Sequence, residues 1–339
     1  YLLAASGSSL QCFERRTGAL KCSVAVFQGV NIHGLQLFSD SSRPLLAVWG
    51  GYQVTVFHYE GNATFALLYS FPRFSDWVRN VRVLRCSTSC AEQSGLNIAV
   101  GLSHDKVELW KLSDTPPAEL ICARQCEDQS VLYCLTFAGE CRHNLRVIGG
   151  TVFSEILVWD PLFSVKRLHS VSHRCRSTSD VVVCPPTQRL CGHDGVVFDL
   201  KASPDGSLIV SVSDDRTLRV WQTRKDGLAP QFHAVAVAYG HSARVWRCAL
   251  HSSAVKTESD LVFTVGEDGQ CFVWSLGGDD SESPPSSRQL SCQKLGTFSG
   301  GTQIGLWSVA YDPHSQIIAT GGGDGGVRFW WRPTLALRE

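Results

Sequence analysis

Apolar residues in this chain come in short runs, many of them β-branched and several alternating with polar residues, separated by turns rich in Gly, Asp and Ser. LLAASG, SLQCF and CSVAVF open the chain; IHGLQLF, LLAVWG, QVTVFHY and FALLYSF follow; then VRVLRC, LNIAVG and VELW; then VLYCLTF, LRVIGG and EILVWD. Such runs, bounded by turn signals, predict short strands, the central ones buried on both faces. The pattern therefore points to an all-β fold assembled from four-strand units.

The later half of the chain repeats one register three times. SVSDDRTLRVW ends at Trp221, TVGEDGQCFVW leads to Trp274, and ATGGGDGGVRFW ends at Trp330. Six residues before each tryptophan stands an Asp (Asp215, Asp268, Asp324), and ten before it a hydroxyl residue (Ser211, Thr264, Thr320). Gly-His pairs precede two of them, at Gly192-His193 and Gly240-His241. A recurrence of this length, with Gly-His and a terminal Trp, marks a WD40-type β-propeller.

The chemistry explains the residue types. An Asp at the turn can hold the His, the His can reach the Ser or Thr hydroxyl, and the hydroxyl can take the indole N-H. Each bond saves a buried polar group from a cost of about 1–3 kcal/mol. His193, Asp215 and Ser211 therefore read as a structural staple, since a catalytic triad would not recur in successive hairpins.

Third-strand aromatics at Phe13, Phe57, Trp110, Trp159, Trp221, Trp274 and Trp330 mark seven units at intervals of 44 to 62 residues. The expected fold is one seven-bladed propeller over residues 1–339, with ring closure left open. Its first blade lacks an opening strand, and its last has only TLALRE beyond Trp330 for an outer strand. His104, Phe153 and Gly51 stand where three of the first four units would carry the staple Asp, so those blades are expected to rely on packing alone. The seventh reads SGGTQIGLW in place of Gly-His, which leaves its network incomplete.

Composition narrows the reading without redirecting it. The 339 residues carry 31 basic and 31 acidic side chains, so net charge gives no push toward DNA or an acidic membrane. No apolar run is long enough for a membrane helix and no signal peptide is visible, so a cytoplasmic protein with no membrane partner is expected. Fourteen cysteines include Cys134, Cys248 and Cys271 in apolar strand patterns, where a thiol acts as a small hydrophobe. The spacings Cys86/Cys90 and Cys122/Cys126 are not those of a zinc site, and neither metal nor cofactor is expected. The chain has no methionine, which fits a fragment of a longer protein.

Two segments interrupt the strand pattern. GGDDSESPPSSRQ, from Gly277 to Gln289, reads as a disordered loop. KRLHSVSHRCRSTSD, from Lys166, gathers Lys166, Arg167, His169, His173, Arg174 and Arg176. It is either a solvated loop or a phosphate-contacting one, because clustered Arg and Lys suit a nucleic-acid backbone.

GHSARVWRCAL, from Gly240 to Leu250, carries a narrower likeness, joined in the same order by NIHGLQL around His33, FSDWV from Phe74, and the tandem GEDGQCFVW and GGGDGGVRFW. With these peptides the chain resembles the amino-terminal propeller of the WD-repeat subunit that partners the tRNA wobble-nucleotide ribose 2'-O-methyltransferase. That family is built from several propellers. The resemblance implies a noncatalytic scaffold: the methyltransferase catalytic subunit performs the reaction, and the WD subunit helps place tRNA before it.

IHG, SDW and GHSARVW each fall at the first strand of a unit and so near one rim. Arg244, Trp246 and Trp77 are the candidate contacts there, with Lys166, Arg167, Arg174 and Arg176 in the basic loop. The tryptophans are either core aromatics, the favoured expectation, or exposed anchors. Arg244 is either a hot-spot residue or half of a surface salt bridge.

A generic WD40 adaptor, such as a ubiquitin-ligase substrate receptor, is the alternative. Such receptors often carry Arg two places beyond a strand-terminal Trp-Asp pair; here only Trp159 is followed by Asp, and Leu162 occupies that place. An enzyme is disfavoured, as no phosphate loop, nucleophile elbow or metal-ligand spacing occurs.

Overall fold

The structure, a computed structural model, describes residues 1–38, 44–84, 96–112, 118–139, 142–162, 181–224, 231–253, 259–278, 290–301 and 304–331. Strands account for nearly all of its regular structure, with one short 3-10 turn at Arg142–Asn144. Among the described residues no helix is long and apolar enough to cross a membrane.

The strands form seven sheets. The first contains β1 (Leu2–Ser6), β2 (Ser9–Phe13) and β3 (Leu20–Ala25), and the second β4 (Gly34–Phe38), β5 (Leu45–Gly50), β6 (Gln53–Gly61) and β7 (Thr64–Ser70). The third runs β8 (Val78–Leu84), β9 (Leu96–Leu102), β10 (Lys106–Leu112) and β11 (Glu119–Cys126). The fourth contains β12 (Leu132–Ala138), β13 (Arg146–Thr151) and β14 (Ile156–Trp159). Next in the chain, β15 (Val182–Cys184) adds to the third sheet parallel to β11, a strand the sequence pattern did not suggest, and β16 (Gln188–Leu190) completes the fourth.

The fifth sheet is β17 (Val197–Ala202), β18 (Leu208–Ser213), β19 (Leu218–Arg224) and β20 (Gln231–Ala238). The sixth is β21 (Val245–His251), β22 (Asp260–Gly266), β23 (Gln270–Gly278) and β24 (Leu290–Ser299). The seventh has β25 (Leu306–Asp312), β26 (Ile317–Gly322) and β27 (Val327–Trp331). Apart from the added β15, consecutive strands lie side by side in each sheet, as in the blade of a β-propeller.

Two compact units make up the chain, residues 1–149 with 158–187, and residues 150–157 with 188–339. In the first, Ala47, Trp49, Val54 and Val56 of the second blade pack against Val81, Ile98 and Val100 of the third. Leu109 and Val107 of the third then meet Leu132, Phe137 and Trp159 of the fourth. In the second unit, Val210 and Val220 pack on Val245, Val262 and Trp274, and Phe263 and Val265 on Leu306 and Ile318. The second strands explain the runs: every residue of β5 and of β18 is buried, and β5 lies between the first and third blades.

Two expectations are corrected. Gly277 and Gly278 belong to β23, paired with Ser291 and Leu290, and the Ser291 hydroxyl donates to the Gly277 carbonyl at 2.9 Å. Ladder bonds thus extend the hairpin past the point where apolar character ends. Residues 279–289 of that segment, 163–180 with the basic loop, and TLALRE lie outside the described residues.

The early blades, moreover, do not rely on packing alone. Trp159 donates its indole N-H to Asp105 Oδ1 of the third blade at 2.9 Å, a fully buried carboxylate five residues ahead of Trp110. Burial pushes the Asp105 carboxyl up to about 6, against the bonds from Trp159 and Cys126 that favour its ionised form.

Candidate functional site

The staples use the polar residues of the fifth and sixth blades. Asp215 Oδ2 lies 2.7 Å from His193 Nδ1, His193 Nε2 lies 2.8 Å from Ser211 Oγ, and Trp221 Nε1 donates to that oxygen at 2.9 Å. An ionised carboxylate only accepts, so the imidazole proton sits on Nδ1 and the bonds run from Trp to Ser to His to Asp. The sixth blade repeats this: Asp268 Oδ2 to His241 Nδ1 at 2.9 Å, His241 Nε2 to Thr264 Oγ1 at 2.9 Å, and Trp274 Nε1 to Thr264 Oγ1 at 2.9 Å.

Burial would raise both carboxyls, but hydrogen bonds and the neighbouring imidazole outweigh it and hold Asp215 and Asp268 below the usual range. Gly240 lets the chain pass close beside two rings of β23: a Cβ there would stand 3.1 Å from the Phe272 ring and 3.2 Å from the Trp274 ring, tighter than ordinary contact. In the seventh blade Trp330 still donates to Thr320 at 3.0 Å, while Asp324, without a histidine, pairs with Arg328.

The starts of several first strands share one irregularity. β8, β17, β21 and β25 each carry a β-bulge at their second residue, namely Arg79, Phe198, Trp246 and Trp307. A bulged residue has no partner in the ladder and its side chain is re-aimed. In the second unit this produces an aromatic ladder across three blades. Phe198 and Trp246 have ring centroids 4.5 Å apart, and Trp246 and Trp307 stack at 5.2 Å with planes 5° apart.

The ladder runs from buried to open: Phe198 is buried, Trp246 half-buried, and Trp307 is 50% exposed beside exposed Ile304. Gly323 leaves room for it, since a Cβ there would sit 2.7 Å from Trp307 Nε1. Arg244, two residues ahead of Trp246 in the chain, has its Nε 2.8 Å from Asp214 and 3.8 Å from Glu267.

In the first unit the start of β8 is aromatic and cationic. Trp77, expected in the core, is 41% exposed. It occupies the position just before buried Val78, the register that Arg244 holds before buried Val245. The His33 ring stacks on it at 5.1 Å with planes 20° apart, and Tyr52 meets it edge-on at 6.2 Å. The Arg73 guanidinium lies 4.5 Å over Tyr52, and that of Arg79 lies 5.8 Å over Trp77 and 5.7 Å over Tyr133.

IHG and SDW, separate in sequence, are thus joined through His33 and Trp77. Lys166, Arg167, Arg174 and Arg176 lie outside the described residues. Tyr52, Arg73, Arg79, Tyr133 and Trp307 were missed. For Trp307 the signal was present: Val-Phe, Val-Trp and Leu-Trp recur at the starts of three first strands, and two consecutive apolar residues break the alternation that a regular strand would keep.

Among the described residues no group of three His, Cys, Asp or Glu side chains could hold a metal ion. The described cysteines are free thiols, and burial pushes Cys126 and Cys271 up to about 12.

A family model for the WD domain, G-beta repeat, matches residues 184–222 and 292–330. Its second match joins β24, the outer strand of one blade, to β25–β27 of the next, so the sequence repeat is offset from the structural blade. The chain is 27% identical over 264 residues, or 76% of its length, to the tRNA (34-2'-O)-methyltransferase regulator WDR6 of Mus musculus, and 26% identical over 258 residues to that of Homo sapiens. The matched stretch spans 19% of either relative. The WD repeat and SOCS box-containing protein 1 of Homo sapiens is 39% identical over 88 residues, 26% of this chain and 18% of that protein.

Proposed function

We propose that this chain, with β-propeller blades and WD-repeat matches over residues 184–222 and 292–330, serves as a noncatalytic scaffold for a tRNA 2'-O-ribose methyltransferase, helping to position tRNA for wobble-nucleotide methylation in the cytoplasm. The observation that carries this reading is the similarity, over 76% of the chain, to proteins named as tRNA (34-2'-O)-methyltransferase regulators. The chemistry of the rims agrees with it. The His and Asp of the two complete staples are committed to their Ser or Thr and Trp, while Trp246, Trp307 and Arg244 present aromatic and charged surface of the kind enriched at protein interfaces.

Affinity purification of the intact protein tests the reading. A ribose methyltransferase and tRNA are expected to accompany it, and cells lacking it are expected to lose 2'-O-methylation at the wobble nucleotide. Unchanged methylation would overturn the assignment. The likeness to a WD repeat and SOCS box-containing protein over 88 residues supports a second reading, a generic WD40 adaptor such as a ubiquitin-ligase substrate receptor. Ubiquitin-ligase subunits in place of a methyltransferase would favour it.

A further inference from the structure

We propose that Trp77 and the side chains around it form a stacking site for an unpaired nucleobase of RNA, with Arg73 and Arg79 facing the adjoining phosphates. The site deepens the reading above and rests on it, since it gives the chain an RNA contact of its own. Its aromatic part is His33, Tyr52 and Trp77, with Trp77 open to solvent over two-fifths of its surface. Every base offers a π face to such a platform, and Arg guanidinium groups beside aromatic rings add attraction for both base and phosphate.

The platform is preorganised. Trp77 N-H donates to Asp76 Oδ1 at 2.7 Å and its carbonyl accepts from Ser103 N-H at 2.9 Å. His33 Nδ1 accepts from Gly51 N-H at 3.2 Å, and the Tyr52 carbonyl accepts from Phe74 N-H at 2.9 Å. Arg79 Nε donates to Ser103 Oγ at 2.6 Å. Little order has to be imposed on the site when a ligand arrives.

Local charge selects among ligands. The Asp76 carboxylate beside the platform is held by His104 at 2.8 Å and by the Trp77 N-H at 2.7 Å. Arg73 and Arg79 place two guanidinium groups over the Tyr52 and Trp77 rings, which favours an anionic chain. An acidic peptide would meet the charge but leave the aromatic faces unused, whereas a single-stranded nucleic acid satisfies both.

The test uses the intact protein and a fluorescein-labelled, single-stranded oligoribonucleotide of about ten nucleotides. Trp77→Ala should weaken binding at least about fivefold and Trp77→Phe, which keeps a π face, less than about twofold. Arg73→Glu, at an exposed position, should weaken it and flatten its salt dependence. Folded Trp77→Ala and Arg73→Glu proteins that bind the RNA as the parent does would overturn the site, as would Trp77-dependent capture of an acidic peptide with none of the RNA. Co-purification of the methyltransferase with Trp77→Ala separates the two readings. If it persists while the RNA result is negative, only this site fails; if the parent protein itself captures no methyltransferase, the scaffold reading fails.

Discussion

His104 Nδ1 lies 2.8 Å from Asp76 Oδ2, and the pair inverts the staple found in later blades. His104 stands six residues ahead of Trp110, where those blades carry Asp, and the carboxylate comes from the loop before the first strand, where they carry His. The same Asp76 oxygen also accepts the His104 backbone N-H at 2.8 Å, as Asp215 accepts that of Asp194 at 3.1 Å. Counting residues finds an imidazole in place of an acid and scores the staple as lost. The loops nonetheless meet through the same kind of bond. The replacement His104→Asp would set two carboxylates together, and its thermal midpoint should drop more at pH 7 than at pH 4, where protonation relieves the repulsion.

Asp105 should make stability depend on pH in the opposite sense to an ordinary carboxylate. Its folded pKa is raised, from 3.8 to about 6, so its protonated form stabilises the fold at low pH and that contribution is lost as pH rises through about 6. Asp105→Asn keeps an oxygen to accept from Trp159 without ionising. Denaturation should find the variant more stable than the parent by about 2–3 kcal/mol at pH 7.5, with the difference gone near pH 4.

Asp268 titrates the other way. Its folded pKa is depressed, so the stability it contributes is present above the ordinary carboxylate value and lost as pH falls through the folded one. Asp268→Asn should lower the melting temperature at pH 7 and lie closer to the parent below about pH 3. Thr264→Val, which strands both His241 Nε2 and Trp274 Nε1, should cost about 2–4 kcal/mol at pH 7 in chemical denaturation.

Trp307→Ala and Ile304→Ser remove exposed apolar surface and should leave the melting temperature within a few degrees of the parent. In co-purification they should weaken methyltransferase capture severalfold. Arg244→Ala breaks an exposed ion pair and should cost less than about 1 kcal/mol of stability.

Thiol reactivity should separate Cys191 from the buried cysteines. A brief alkylation under native conditions should label exposed Cys191 well ahead of Cys126 and Cys271, whose thiols are held protonated by burial; mass spectrometry of the digested protein reads the order.

Most strands, the blade number and the two full staples were legible in the sequence, because each depends on local spacing, whereas β15 pairs with a strand far back in the chain. Period-two alternation places side chains on faces, and the ten- and six-residue offsets to Trp221 and Trp274 are fixed by the length of one hairpin. The rims were decided by tertiary structure. Whether Trp77 is buried depends on a neighbouring blade that brings His33 to one face of its ring, and whether Trp246 ends in a core or a ladder depends on bulges in β17, β21 and β25. Asp105 and Trp159 belong to different blades, 54 residues apart, and the bond between them follows from how the blades stack. Spacing along one hairpin is carried by the chain itself; contacts between hairpins exist only after the sheets have packed.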